Sequence, residues 1–491
     1  MQHLTRQVTA QHLAARLFAW RDGPGPLYLR LAEALRTLAE AGAIATGTRL
    51  PSERTLALAL RVSRNTVTAA YRQLRDTGWL VGNQGAAPRV GAVTRVPECA
   101  TAAADPLAAL FVDRDRPRFD LTAASPTPAP AVIDALGRLP ELMPYSAYRE
   151  TGLHPGGHPL LLEAIAEHLR RDGIAAHPDE IVVTNGAQQA LTLVAEAMHR
   201  PRRPTAIEAV TFPGVIDALR RRGRAQLITL PVDQDGLRVE AAARLIRATS
   251  PIAAYITTFQ NPTGRAIGDV GGERLLEAAL DAKTAIVEDR VLADLHLRED
   301  AAPTPFAALR PDAAVTTVGS VSKVLWGGLR IGWIHTNRTL AAHLRARRRA
   351  LDLGGAAPMQ LAAAWLLAHH YRDAGAWRVR RLRESLAALT AAITAADLGW
   401  EFQRPAGGPN LWVRLPQPTA RDFAELASRE GVAVAAGDAF ALTPGTAVDM
   451  IRIPFFLPPA DLEAAVAALS DIWERHRRQG RHHRQSGPQQ Y

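Results

Sequence analysis

Along the first hundred residues the apolar positions recur at helical spacing. Leu13, Leu17 and Trp20 stand three or four apart and predict a short amphipathic helix, which Asp22-Gly-Pro-Gly-Pro26 ends. Leu27, Leu31, Leu35 and Leu38 predict a second helix over 27–40. Ser52, after Pro51 and before the acid Glu53, is a good N-cap for a helix running to Leu60. A tight break at Arg61 and Val62 leads to Ser63, which caps another helix to Asp76 with Val67, Ala70 and Leu74 facing inward. Leu80 and Val81, then the turn from Gly82 to Gly85, predict a two-stranded wing ending near Val90.

From about residue 119 short apolar runs alternate with helical stretches, the pattern of an α/β sheet. Strands are predicted at 181–184, 206–208, 227–230, 253–257, 285–288, 315–318 and 333–335. Long helices, Pro358 to His370 and Tyr371 to Ala395, lead to a smaller α+β lobe with strands near Leu411–Val413, Val432–Val434 and Met450–Pro454. The stretch between the two regimes holds Pro97, the small-residue run Ala100–Ala104 and the mixed charges of 113–116. It reads as a linker, locally helical over 100–111. The expected plan is therefore an N-terminal helix-turn-helix over 1–92 with its core at 26–92, and a linker over 93–118. An α/β domain follows over 119–478, with its small lobe from about 359. A basic tail without fixed structure closes the chain at 479–491.

Gross numbers narrow this little. At 491 residues the chain has room for two or three domains. A formal charge of +10 permits a polyanionic partner without requiring one. Cys99 is the sole cysteine, which excludes an intrachain disulfide and a thiolate metal cluster. The N-terminus lacks a long apolar segment of signal-peptide type, and no uncharged stretch of 18 apolar residues occurs, so a cytoplasmic protein without membrane partners is expected.

The chemistry starts from an imbalance. Arginine has nearly displaced lysine, and only Lys283 and Lys323 remain. An amine can lose its proton and attack a carbonyl; a guanidinium cannot. Lys283 reads as a surface residue. Lys323 follows a strand, in Ser320-Val-Ser-Lys323, with Arg330 seven positions on. Catalytic and binding groups of α/β sheets gather at the carboxyl ends of strands. There the chain places Gly186 and Ala187 at a strand-to-helix turn, a phosphate seat or simply tight packing. It also places Asn261 in Asn-Pro-Thr-Gly264, and Asp289 at the end of the 285–288 strand, where an acid either caps a helix or pairs with a protonated ring nitrogen. Taken together these groups describe pyridoxal phosphate (PLP). Gly186, Ala187, Ser320 and Arg330 would hold the phosphate, Asp289 the ring nitrogen, Asn261 the ring oxygen, and Lys323 the aldehyde.

Two resemblances sharpen the reading. The words Leu27-Tyr28, Gly47-Thr-Arg-Leu-Pro-Ser-Glu-Arg54, Ser63-Arg-Asn-Thr-Val67 and Gly78-Trp-Leu80 resemble the GntR-type winged helix over 26–92. On spacing alone the pair of helices is equally an ordinary hairpin; the resemblance implies DNA binding. Arg64, Asn65 and Thr66 would then open the recognition helix over base edges, with Arg54 and Arg72 at phosphates and Gly85 in the wing turn. Thr68 stands where some members carry a basic residue. Residues 119–478 resemble class I/II aminotransferases of fold type I. That resemblance implies Phe212 stacked on the cofactor ring, or packed in the core, and Tyr148 reaching the phosphate of a neighbouring subunit. It also implies Arg452 gripping a ligand carboxylate, where the alternative is a buried structural ion pair.

One departure concerns the ring oxygen. The family's tyrosine two or three positions after the ring-nitrogen aspartate is replaced by Val291 and Leu292, so the imine on Lys323 should hold its proton more tightly. A winged helix fused to such a domain resembles the MocR-type regulators. This implies a homodimer bound to a double-stranded operator, with the PLP domain sensing an amino acid, an amine or PLP itself through Schiff-base exchange at Lys323. The alternative is a working aminotransferase with an accessory DNA-binding domain.

Overall fold

The structure is a computed structural model. It describes residues 8–17, 20, 26–40, 44, 48–76, 80–81, 88–90, 107, 110, 117–143, 150–200, 203–220, 226–417, 419–443 and 445–485. Contacts divide the chain into Met1–Thr101 and Ala102–Tyr491.

In the first unit α1 (Ala10–Arg16), α2 (Leu27–Glu40), α3 (Glu53–Leu60) and α4 (Arg64–Asp76) enclose a core built on Leu13, Leu31, Leu35, Leu56, Val67 and Tyr71. The first helix ends earlier than its apolar spacing suggests, yet Leu17 and Trp20 still enter this core. Ser52 caps α3 by accepting the Thr55 amide, and Ser63 caps α4 by accepting that of Thr66. Between the two helices Arg61 takes a left-handed conformation, which turns the chain in three residues. β1 (Leu80–Val81) and β2 (Arg89–Val90) pair antiparallel as the wing. Leu50 donates to the Pro88 carbonyl at 2.8 Å, tying the entry to α3 against the wing.

The second unit starts with β3 (Phe119–Leu121), α5 (Pro130–Gly137), α6 (Leu139–Leu142) and α7 (Pro159–Arg171). The large sheet then takes β4 (Ile181–Thr184), β5 (Thr205–Glu208) and β6 (Leu227–Leu230). A hairpin of β7 (Val232–Asp233) and β8 (Gly236–Leu237) follows, then β9 (Ala253–Thr257), β10 (Ala285–Asp289), β11 (Val315–Ser320) and β12 (Gly332–His335). The spatial order is β4-β12-β11-β10-β9-β5-β6, with β12 alone antiparallel to its neighbours. β4, β5, β9 and β12 are buried along their whole length, as strands covered on both faces must be. α8 (Gly186–Met198) and α9 (Pro213–Arg220) lie near the carboxyl ends of β4 and β5.

The small lobe is a five-stranded sheet in the order β13 (Glu401–Phe402), β14 (Asn410–Arg414), β16 (Met450–Pro454), β15 (Val432–Ala436), β3. β3 pairs parallel with β15, so this lobe draws on both ends of the domain and not only on residues after 359. The last helix, Pro459–Gln485, also runs past the point where an unstructured tail is expected. Leu462, Val466, Leu469 and Trp473 anchor it in the core, and arginine and glutamine are good helix formers that extend a helix once it is nucleated.

Candidate functional site

At the carboxyl ends of the parallel strands lies a cavity of about 440 Å³. Lys323, Asp289, Asn261, Ala187, Phe212, Arg330 and Arg452 line it together. Lys323 follows β11 and donates to the Ala124 carbonyl at 2.7 Å. Removal from water and the nearby Arg452 guanidinium push its ammonium down to about 8, against the pull of Asp289. Asp289, at the end of β10, accepts the Val291 amide at 3.0 Å, and its burial pushes it up to about 6. The two groups line one cavity and influence one another electrostatically, the carboxylate favouring the ammonium and the ammonium favouring the carboxylate.

Gly186 opens α8 with a φ of +77°, and a Cβ there would lie 2.7 Å from Arg330 Nη2. Arg330 is itself left-handed, at φ 55°, and its guanidinium donates to the Asn185 carbonyl at 2.6 Å. The missing side chain at 186 thus lets a guanidinium lie against a helix N-terminus, a cradle for an anion. Ser320 does not line the cavity. Its hydroxyl donates to the Ile331 carbonyl at 2.8 Å and accepts the Ser322 amide, so Ser322 faces the cavity in its place. The Phe259–Gly264 turn is fixed by Gln260, which bonds the Val210 carbonyl and the Thr263 hydroxyl, and this holds Asn261 at the wall.

Arg452, on β16, is 1 % exposed. It donates to the Thr122 carbonyl and lies 4.7 Å over the Phe440 ring, while its Nε has no partner among the described residues. Among the described residues no carboxylate forms an ion pair with it. Burial lowers its proton affinity, with Asp120 opposing. A buried guanidinium that lines a cavity and keeps an unpartnered donor can receive a carboxylate there. Asn410 escaped the sequence reading. It donates to Asn261 at 3.4 Å, and its buried Oδ1 is unpartnered among the described residues. So did Thr257, a wall residue whose hydroxyl is held by the buried Glu208 at 2.9 Å. Val291 and Leu292 both face the cavity, where the resemblance would place a tyrosine. Tyr148 and Gly85 lie outside the described residues.

In the first unit Arg54, Arg64, Asn65 and Arg72 are exposed. Thr66 is half-buried, its hydroxyl bonded to that of Ser63 at 2.8 Å within the helix cap. Thr68 turns inward and donates to Glu53 at 2.8 Å, joining the two helices where a basic side chain would point at DNA. Tyr71 also bridges them, donating to the Pro51 carbonyl at 2.9 Å. The arginine runs of the second unit are less solvated than their composition suggests. Arg348 is fully buried beside Asp352, and Arg345 donates to the carbonyls of Pro178 and Ile181.

A left-handed glycine at an anion cradle, one amine, one carboxyl and an open guanidinium define a cofactor site of fold type I. The chain belongs to the aminotransferase class I and II family, whose model matches residues 124–469. The bacterial regulatory protein model of the gntR family matches residues 27–90. Relatives carry both parts. The uncharacterized HTH-type transcriptional regulator YisV of Bacillus subtilis is 27% identical over 93% of this chain and 97% of its own. The probable rhizopine catabolism regulatory protein MocR of Rhizobium meliloti is 31% identical over 64% of this chain and 66% of its own. Among solved structures, LysN, an α-aminoadipate aminotransferase of Thermus thermophilus, superposes with a TM-score of 0.64 at 24% identity, covering 72% of this chain and 93% of its own. This likeness shows the fold. Among the described residues no helix is long and apolar enough to cross a membrane.

Proposed function

We propose that the protein is a DNA-binding transcription regulator whose aminotransferase-like domain carries PLP and senses a small amine or amino acid. Bound in the cavity, PLP supplies an aldehyde that captures primary amines. The residues fit it. Arg330, Gly186, Ala187 and Ser322 form the anion cradle, Asp289 would hold the ring nitrogen, Asn261 the ring oxygen, and Phe212 a ring face. LysN was solved with N-(5'-phosphopyridoxyl)-L-leucine, a phosphopyridoxyl group joined to an amino acid.

The observation that carries the reading is Lys323, an amine that lines one cavity together with Asp289, Arg330 and the open Arg452. Near neutrality a usable fraction of Lys323 is unprotonated, so it would hold the aldehyde and could yield to a competing amine. Arg452 holds that amine's carboxylate, if it has one. An amine held in place of Lys323 would leave that side chain free and would draw on Arg452 in the small lobe. The resulting shift biases the winged helices between two arrangements, and DNA and effector affect one another equally.

The active species is a homodimer. Leu153, Leu351 and Leu353 are all more than half exposed and flank the point where Gly354 meets the His154 carbonyl, an apolar patch suited to a second copy. Footprinting of the upstream DNA with protein, PLP and single amino acids tests the proposal. Protection that shifts on adding an amino acid, and that is lost in Arg64→Ala/Asn65→Ala, is expected. Protection indifferent to PLP and to every amine would refute it.

A further inference from the structure

One wall of the cavity precedes the residues that the aminotransferase family model matches, and it comes from the linker. Leu107 and Leu110 both line the cavity. They form a single turn, with the Leu110 amide on the Leu107 carbonyl at 3.0 Å. Leu110 is 5 % exposed and packs with Val210, Ala435, Ala439 and Phe440; Leu107, Phe212 and Trp412 complete that cluster. The turn is tied down at both ends. The Leu107 amide donates to Asp217 of α9 at 3.2 Å, and the Thr122 hydroxyl donates to the Leu110 carbonyl at 3.4 Å.

These contacts place the turn between the two groups that grip the cofactor ring and the carboxylate. Phe212 immediately precedes α9, and Phe440 is the ring under the Arg452 guanidinium. Thr122 is shared as well: its hydroxyl reaches the linker while its carbonyl accepts from Arg452. A carboxylate recruited by Arg452 competes for a guanidinium already bonded to Thr122, and is thereby one residue from the linker backbone. Among the described lining residues Asp289 is the only acid, and the proposed function assigns it to the cofactor. A cationic side chain would find no counter-charge here, whereas Leu107 and Leu110 offer an apolar surface.

We infer that Leu107 and Leu110 are specificity-determining residues: they receive the effector's side chain, select neutral apolar amino acids, and make the linker itself the element that reports the ligand. This rests on the proposed PLP-sensing function and names its ligand class.

The test uses full-length protein loaded with PLP and titrated with glycine, L-leucine, L-glutamate and L-lysine, followed by the visible cofactor spectrum. The wild type is expected to bind L-leucine roughly tenfold or more tightly than glycine, L-glutamate or L-lysine. In Leu107→Ala/Leu110→Ala the leucine-over-glycine ratio falls to within about threefold of unity. In Leu110→Phe, which fills the wall, the ratio inverts. A fluorophore on Cys99, the chain's one thiol and eight positions before Leu107, supplies the second readout. Its emission changes with L-leucine in the wild type and not in the double variant at saturating L-leucine. An intact cofactor spectrum with an unchanged ratio in both variants, or a wild-type preference for L-lysine or L-glutamate, overturns this inference alone. A protein that shows no cofactor band overturns the proposed function and this inference with it.

Discussion

Gly186→Ala separates the two things that this glycine does. At φ +77° an alanine is strained by about 1–2 kcal/mol whatever space it finds, and that strain is present with or without cofactor. It should therefore appear as lost stability of the apoprotein. The second effect is steric. The new Cβ would sit 2.7 Å from Nη2 and 3.0 Å from Cζ of Arg330. Those atoms end a flexible side chain, so the clash is relieved by swinging the guanidinium off the Asn185 carbonyl and out of the cradle. That movement adds little to the folding cost, but it would remove the charge-assisted hydrogen bond that the proposed cradle offers the cofactor phosphate, worth about 1.5–3 kcal/mol. PLP affinity should fall roughly tenfold to 150-fold. Titration of the apoprotein with PLP, read by absorbance, gives the second number; urea unfolding of the apoprotein gives the first. Unchanged affinity together with lowered stability would show that Arg330 does not hold the phosphate. Unchanged values of both would remove the cradle altogether.

Three further outcomes are expected. Tyr71→Phe deletes a buried hydrogen bond between the helices of the first unit and should lower amide-exchange protection over 53–76 by about 0.5–1.5 kcal/mol; undiminished protection would show the bond contributes nothing. Leu292→Tyr should lower the pKa of the imine on Lys323 by about one to two units in an absorbance titration, by supplying a donor to the ring oxygen; an unmoved titration would place the tyrosine's role elsewhere. Asp289 is held at about 6, above its unfolded range near 4, so ionising it opposes folding. That penalty is absent below about pH 4, grows between pH 4 and 6, and is complete above pH 6. Asp289→Asn should therefore stabilise the apoprotein by up to about 3 kcal/mol at pH 8 and by nothing at pH 4, while weakening PLP binding; an equal effect at both pH values would contradict the burial argument.

Much of this molecule is written locally and is readable for that reason. The runs at 253–257 and 285–289 read as strands because short apolar stretches, Ala253–Ile256 and Ala285–Val287, suit a sheet covered on both faces, a condition that needs no knowledge of the partner strand. Ser52 and Ser63 mark their helices because a cap bonds two or three residues away. Lys323 stands out because a sparse residue type marks the place where an amine is needed. What stayed hidden depends on distant contacts. β3 joins β15 across some three hundred residues, which no periodicity in either segment announces. Ser320 and Ser322 are equivalent as letters, and only the turn after β11 decides which one faces the cavity. Arg348 sits in a run of like charges, yet its helix face, not its composition, buries it. Leu107 and Leu110 are ordinary linker residues until Asp217 and Thr122, far apart in the chain, fix them over the cavity.

Borohydride reduction of the protein isolated with PLP, followed by peptide mass analysis, tests the central assignment most directly. A phosphopyridoxyl adduct on Lys323, with Lys283 unmodified, is the predicted result. A modified Lys283, or an unmodified Lys323 in protein that carries the cofactor, would contradict it.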